Sequence, residues 1–306
     1  METTSMSTPF PSGVIAPNLT PFNDDGSVAL DLYVDHAIRL LEGHCVALAP
    51  FGTTGEALSV GIEERIEALD ALVSAGVDPK RLVPGTGLTN LPDTLRLTRH
   101  AASLGCAGAM ILPPFYFKGP TEEGLFSYFE QLIAKISDTP IGIYLYHIPQ
   151  MAGVGFPLSL VKRLKHSFPK EIVGIKDSSG VWENTEGLLS IDDLIVFPGS
   201  ELPLAEALAL GASGCISATA NINSGSIAEL IKKLTTQDDV DELTKSVKAF
   251  RLLLQDYAPI PAQKGLLALT TGDNRWRNVR PPLLPANEQS SMELQEKLQS
   301  EFGFQV

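Results

Sequence analysis

Eight short apolar runs, at residues 14–19, 46–49, 82–84, 109–112, 141–145, 172–176, 194–197 and 214–217, alternate along the chain with amphipathic stretches of helical period. Leu30, Val34, Ile38 and Leu41 share one such face, and Leu125, Phe129, Leu132 and Ile136 share another. Strict alternation of strand and helix predicts a parallel sheet. Eight units in about 230 residues fit an α/β fold of the (β/α)8 barrel type better than an open sheet. A doubly wound sheet is the alternative, but no G-x-G-x-x-G follows the first run, so no dinucleotide fingerprint supports it.

Beyond residue 234 the texture changes. This divides the chain into a barrel with the active site at 1–234 and a helical domain at 235–306. The polar run Thr235-Thr236-Gln237-Asp238-Asp239 leads into Leu243, Val247, Phe250, Leu254 and Tyr257 at helical spacing. Pro259 and Pro261 are expected to break that helix. Further helices follow over 262–270 and, past the proline-rich 280–285, over 292–302. This part reads as a subunit contact or buttress rather than as a carrier of chemistry.

Composition excludes several classes of function. A chain of 306 residues, 44% hydrophobic, can bury a barrel-sized core. Its net charge of −13 and lack of a Lys/Arg cluster argue against nucleic acid or an anionic membrane as partner. Cys45, Cys106 and Cys215 lie far apart with no C-x-x-C spacing, which reads as reduced thiols. Residues 1–13 have neither a basic nor an apolar leader region, and no apolar run approaches a membrane span. The expectation is a soluble, cytoplasmic protein. The five histidines, His36, His44, His100, His147 and His166, form no metal-ligand spacing and read as surface or packing residues.

In a barrel, chemistry belongs at the carboxyl ends of the strands. There Ile172-Val173-Gly174-Ile175-Lys176 ends an apolar run on a lysine, directly before Asp177-Ser178-Ser179-Gly180. Burial strips hydration that favours the ammonium, and a free amine attacks carbonyls to form Schiff bases. The plainer alternative is a strand-end lysine that only reaches solvent. Alternation puts Lys176 on the face of Gly174, which would leave room beside the amine. Asp177 faces away, as a turn or helix-cap acceptor. The loop Gly52-Thr53-Thr54-Gly55-Glu56 offers N–H groups and hydroxyls suited to a carboxylate or phosphate, although the same residues also simply build turns. Glu56 reads as a first-turn carboxylate favoured by the helix dipole, with a catalytic acid as the alternative. Tyr146, at the end of the fifth run, would pass protons through its hydroxyl or simply bond to backbone.

Together, Thr20-Pro21-Phe22, the 52–56 loop, Pro114-Phe115-Tyr116, Tyr146-His147-Ile148-Pro149, Gly174-Ile175-Lys176-Asp177, Gly199-Ser200-Glu201 and residues 211–221 carry a resemblance. The chain resembles the dihydrodipicolinate synthase and N-acetylneuraminate lyase family, the pyruvate-type class I aldolases. The resemblance covers most of the barrel, and the helical tail is similar to that family's C-terminal domain. It implies a (β/α)8 barrel, a homotetramer, and reaction of pyruvate through a lysine imine without metal, flavin or nicotinamide. It places Lys176 as the imine lysine and Tyr146 as the proton shuttle. Thr53 joins the relay, and Thr53 and Thr54 place the 2-oxo acid carboxylate. Tyr116 would reach a neighbouring subunit's site, Ile216 would line the pyruvate pocket, and Gly199 would put backbone near the substrate, with Gly52 in the anion loop.

One position departs from the family. Synthases that act on an aldehyde carboxylate carry an arginine where this chain has Met151, and a thioether cannot replace that guanidinium. Ser178, Ser179, Ser200 and Glu201 are candidate hydroxyl contacts or, alternatively, turn formers. The resulting expectation is a lyase that cleaves a 4-hydroxy-2-oxo acid or sugar-acid-like substrate to pyruvate and an aldehyde, or condenses the two. The alternatives are a dihydrodipicolinate synthase, a 2-oxo-acid dehydratase using the same imine, and a non-catalytic oxo-acid binder.

Overall fold

The computed structural model describes residues 12–236 and 239–304. The readings made on residues 1–11 and on Gln237 and Asp238 lie outside the described residues. Strands β1 (Gly13–Ala16), β2 (Ala47–Leu48), β3 (Ala109–Ile111), β4 (Ile143–His147), β5 (Ile172–Asp177), β6 (Ile195–Pro198) and β7 (Gly214–Ile216) all pair in parallel. β1 lies between β2 and β7, and β3 to β6 follow one another in order.

The expected third run closes the ring without forming a regular strand. Leu82 bridges Leu48 of β2, and Gly85 bridges Met110 of β3. The Val83 N–H donates to Leu48 O at 2.9 Å and the Met110 N–H to Pro84 O at 2.9 Å. Pro84 has no N–H to donate, which removes a rung from any ladder here. Between β6 and β7 the Ser213 N–H donates to Val196 O at 3.1 Å. With these links the eight runs form a closed (β/α)8 barrel.

Outer helices follow the strands: Leu30–Glu42, Ile62–Ser74, Leu91–Ser103, Glu122–Lys135, Leu158–Ser167, Trp182–Leu189, Leu204–Ala209 and Ala220–Thr236. Their starts use side-chain caps where the sequence supplies them. Thr121 Oγ1 accepts from the Gly124 N–H at 3.1 Å, and Asn90 Oδ1 from the Asp93 N–H at 2.9 Å. Leu125, Phe129, Leu132 and Ile136 are all buried, as their spacing predicts. The first helix differs. It buries Tyr33, His36, Ala37 and Leu40, while Leu30, Val34, Ile38 and Leu41 pack half-buried on its shoulder. A polar side chain can sit on the inner face because its hydrogen bond is met there: His36 Nε2 lies 2.9 Å from Asn221 Oδ1.

The C-terminal part forms helices Asp241–Gln255, Pro259–Thr271 and Glu288–Phe302. Pro259 and Pro261 lie inside the first turn of the second helix rather than outside it, since N–H groups there have no intrahelical acceptor to lose. The last helix starts four residues earlier than its apolar pattern suggests, because Asn287 caps it, accepting from the Ser290 N–H at 2.7 Å. One small core joins Phe250, Leu254, Ala262, Leu266, Leu294 and Leu298. A second joins Leu267, Ala268 and Trp276 to Leu19 of the barrel. Among the described residues no helix is long and apolar enough to cross a membrane.

Candidate active site

β4 and β5 bring the two central residues into register, with Tyr146 paired to Lys176. Tyr146 and His147 lie within β4 rather than after it, because the strand starts two residues later than its apolar run. Lys176 is 4% exposed and holds its Nζ 4.4 Å from the centroid of the Tyr146 ring. Among the described residues no carboxylate lies within ion-pair reach of this amine. The Tyr146 hydroxyl lies 3.0 Å from Thr53 Oγ1. Lysine, tyrosine and threonine therefore form one contiguous group at the carboxyl ends of the strands.

Two local readings change with the neighbours in view. Gly174 does not leave space for the amine. A Cβ there would meet Tyr144 ring carbons at 2.6 and 2.7 Å and Ile195 O at 2.5 Å, so the missing side chain accommodates the adjacent strands. Alternation predicts the face of a side chain but not how far a neighbouring strand's aromatic ring reaches across it. Asp177 behaves as expected: its carboxylate accepts from the Ser179 N–H at 2.9 Å, Asn184 Nδ2 at 3.0 Å and Thr185 Oγ1 at 2.7 Å. It thereby fastens the turn after β5 to the following helix.

The 52–56 loop is tightly turned. The Glu56 N–H donates to Thr53 O at 3.1 Å, the Ala57 N–H to Gly52 O at 3.2 Å, and Thr20 Oγ1 to Gly55 O at 2.8 Å. The N–H groups of Gly52, Thr53, Thr54 and Gly55 donate to no backbone carbonyl among the described residues. Thr54 is buried and Thr53 half-buried, and the Tyr146 hydroxyl holds Thr53 Oγ1 at the lysine end of the barrel.

Glu56 is not a dipole-stabilised first-turn residue. It is left-handed at φ 52°, and its buried carboxylate pairs with Lys264 and accepts from the Arg280 N–H at 3.0 Å. Sequence reasoning missed Lys264 altogether. Only its place among apolar residues of a helix face signals it, and its partner is 208 residues away. Burial lowers the Lys264 amine to about 8, against the opposing pull of Glu56.

The remaining candidates are spread around this centre. Ile216 is buried on β7, and the Gly199 N–H donates to Asp177 O at 2.6 Å beside Ser178. The Ser178 N–H donates to His147 O at 2.8 Å. Ser179 Oγ accepts from the Val181 N–H at 3.2 Å and Ser200 Oγ from the Leu202 N–H at 3.1 Å, so both act as turn formers. Glu201 is buried, with its carboxylate oxygens taken by the hydroxyls of Ser217 and Thr219. Met151 is 66% exposed on the short helix Pro149–Ala152. Tyr116 is 75% exposed, packs edge-on against Phe117, and bonds neither Thr53 nor Tyr146.

Burial sets the remaining electrostatics. His147 is held below its ordinary value by burial while Nδ1 accepts from the Phe156 N–H at 2.8 Å, a structural role. Cys45 and Cys106 are pushed up to about 12 and Cys215 well above the thiol range, each by burial, so these free thiols are poor nucleophiles. Among the described residues no group of three His, Cys, Asp or Glu side chains is placed to hold a metal ion.

Comparison with known proteins extends over the whole of this geometry. The family model described as the dihydrodipicolinate synthetase family matches residues 10–301. A DapA-like lyase of Chloroflexus aurantiacus is 34% identical over 281 residues, 91% of this chain and 93% of the relative. The crystal structure of dihydrodipicolinate synthase from Agrobacterium tumefaciens superposes with a TM-score of 0.86 at 33% identity, covering 95% of this chain and 99% of that one. YagE from E. coli K12, solved in complex with pyruvate, gives a TM-score of 0.86 at 26% identity over 94% of this chain and 98% of its own.

Proposed function

The chain belongs to the dihydrodipicolinate synthetase family, whose members are lyases working through a lysine Schiff base, and from that premise we propose that it cleaves or forms the C3–C4 bond of a 4-hydroxy-2-oxo acid, with Lys176 as nucleophile. The observation that carries this reading is the buried Lys176 amine, free of a carboxylate partner among the described residues and beside a tyrosine bonded to Thr53. The pyruvate bound to YagE supports pyruvate as the oxo acid.

In the proposed reaction Lys176 Nζ attacks C2 of the oxo acid, and the carbonyl π electrons move to oxygen. One proton passes to that oxygen from the attacking nitrogen and a second from Tyr146, relayed through Thr53, so that it leaves as water to give the iminium and a Tyr146 phenolate. In cleavage, the 4-hydroxyl gives its proton to the Tyr146 phenolate and the C3–C4 bond breaks. Its electron pair flows into the iminium, leaving an enamine and releasing an aldehyde. Protonation at C3 and hydrolysis return pyruvate and the amine. Condensation is the reverse. Thr53, Thr54 and the free N–H groups from Gly52 onward hold the carboxylate.

Ile216 and Gly199 border the oxo acid, and Ser178 and Met151 face its distal end in this reading. Tyr116 extends the relay into the site of a neighbouring copy within a homotetramer, an arrangement that suits an aromatic ring left exposed on its own subunit. Three buried, unpaired thiols fit a cytoplasmic setting.

Likeness to the Agrobacterium synthase favours a second reading, condensation of pyruvate with aspartate semialdehyde. Met151 opposes it, since an exposed thioether offers the aldehyde's carboxylate no charge-assisted bond. Incubation with pyruvate and borohydride, followed by peptide mass spectrometry, tests the imine. A reduced adduct on Lys176 is expected, and no adduct with pyruvate or any longer 2-oxo acid in folded protein would refute the reading. Turnover of aspartate semialdehyde would establish the second reading over the first.

A further inference from the structure

The loop carrying Thr53 and Thr54 is bracketed by two non-glycine residues in the left-handed region, Phe51 at φ 58° and Glu56 at φ 52°. Such backbone is unfavourable for residues with a side chain and persists where the surroundings hold it. At Glu56 the surroundings come from the far end of the chain. Lys264, on helix Pro259–Thr271, pairs with the carboxylate and donates to Asn278 O at 2.8 Å. The Arg280 N–H bonds the same carboxylate at 3.0 Å. The Arg280 guanidinium grips Glu64, Ser59 O at 2.6 Å and Gly26 O at 2.7 Å. The Lys264 Nζ and Arg280 Cζ lie 4.4 and 4.6 Å from the centroid of the Phe22 ring.

We propose that Glu56 is a positioning residue, clamped by Lys264 and the Arg280 backbone, through which the C-terminal helical extension holds the Thr53-Thr54 loop in its substrate-binding form. This rests on the reading of Thr53 and Thr54 as carboxylate-binding groups. Glu56 is tied to the loop backbone at one end, through its N–H bond to Thr53 O, and to the extension at the other. Releasing the carboxylate frees the left-handed turn to relax, and the hydroxyls and N–H groups of residues 52–55 then lose their common aim. Oxo-acid binding weakens while the amine of Lys176 remains intact.

The test uses Glu56→Gln, Lys264→Met and the double variant, each in the full-length protein. Hydrogen–deuterium exchange is read over residues 50–60, and borohydride labelling is titrated with pyruvate. Expected are faster exchange in that segment and a rise of about tenfold in half-saturating pyruvate, with labelling at saturation still on Lys176. A single variant leaves a buried charge unpaired and can misfold, so the double variant, which removes both charges with little change in shape, is decisive. Wild-type exchange and wild-type half-saturation in folded double variant overturn the proposal. Absence of labelling in the wild type overturns the imine reading instead, and the exchange rates then decide the clamp by themselves.

Discussion

Lys176 and Lys264 are both buried, and each holds its amine 4.4 Å from the centre of an aromatic ring, Tyr146 in one case and Phe22 in the other. They differ in what else faces them. Lys264 has a carboxylate from Glu56 and a carbonyl from Asn278, whereas no carboxylate among the described residues reaches Lys176. A buried lysine with a carboxylate beside it is committed to that pair, and a buried lysine without one is open to a carbonyl group. Burial alone therefore does not distinguish the two lysines; their partners do.

The largest effect should come from Lys176→Ala. Removing the nucleophile is expected to abolish the borohydride adduct and lower kcat/KM by about 10⁴-fold or more, while Lys264→Met keeps its adduct. An adduct that survives in Lys176→Ala would break the comparison outright. Next is Tyr146→Phe, which keeps the ring beside the amine but removes the hydroxyl. Single-turnover labelling should slow by about 10³-fold with circular dichroism unchanged, and a wild-type rate would remove the hydroxyl from the relay.

Besides weakening pyruvate binding, Lys264→Met should lower stability, costing about 3 kcal/mol in urea denaturation because it strands Glu56. Restoration of most of that loss in the double variant with Glu56→Gln would confirm that the pair, rather than the methylene stem, is responsible. The same lysine gives a pH dependence. It titrates at about 8 in the fold against an ordinary 10.5, so between those values the unfolded chain retains a proton that the folded one has lost. Its contribution to stability therefore rises with pH across that window and is lost as pH falls through 8. Urea midpoints for wild type and Lys264→Met should diverge in the wild type's favour from pH 7 to pH 10, and parallel curves would contradict the assignment. The smallest effect is expected for Thr53→Val, about a tenfold loss in the rate of imine formation, the size of one neutral hydrogen bond. A loss as large as that of Tyr146→Phe would make the threonine an equal member of the relay.

Much of this arrangement is legible in the chain. The barrel follows from alternating runs, and Lys176, Tyr146 and the 52–56 loop follow from the rule that strand ends carry the chemistry. Asp177 could be assigned to the turn because alternation turns it away from the amine. Gly174 could not be read correctly, because the ring that fills its place belongs to Tyr144 on the neighbouring strand. Glu56 defeated a local rule in the same way. A carboxylate at a strand-to-helix turn resembles a dipole-stabilised residue until a lysine from 208 positions away is seen against it.

Period and strand polarity are local properties of the chain, so the parallel barrel and the end at which its strands finish are already written in the residue pattern. Which buried lysine meets a carboxylate and which does not was settled by the fold. Charge compensation in a water-poor interior depends on groups that meet in space, and no spacing along the chain encodes the meeting of Glu56 with Lys264.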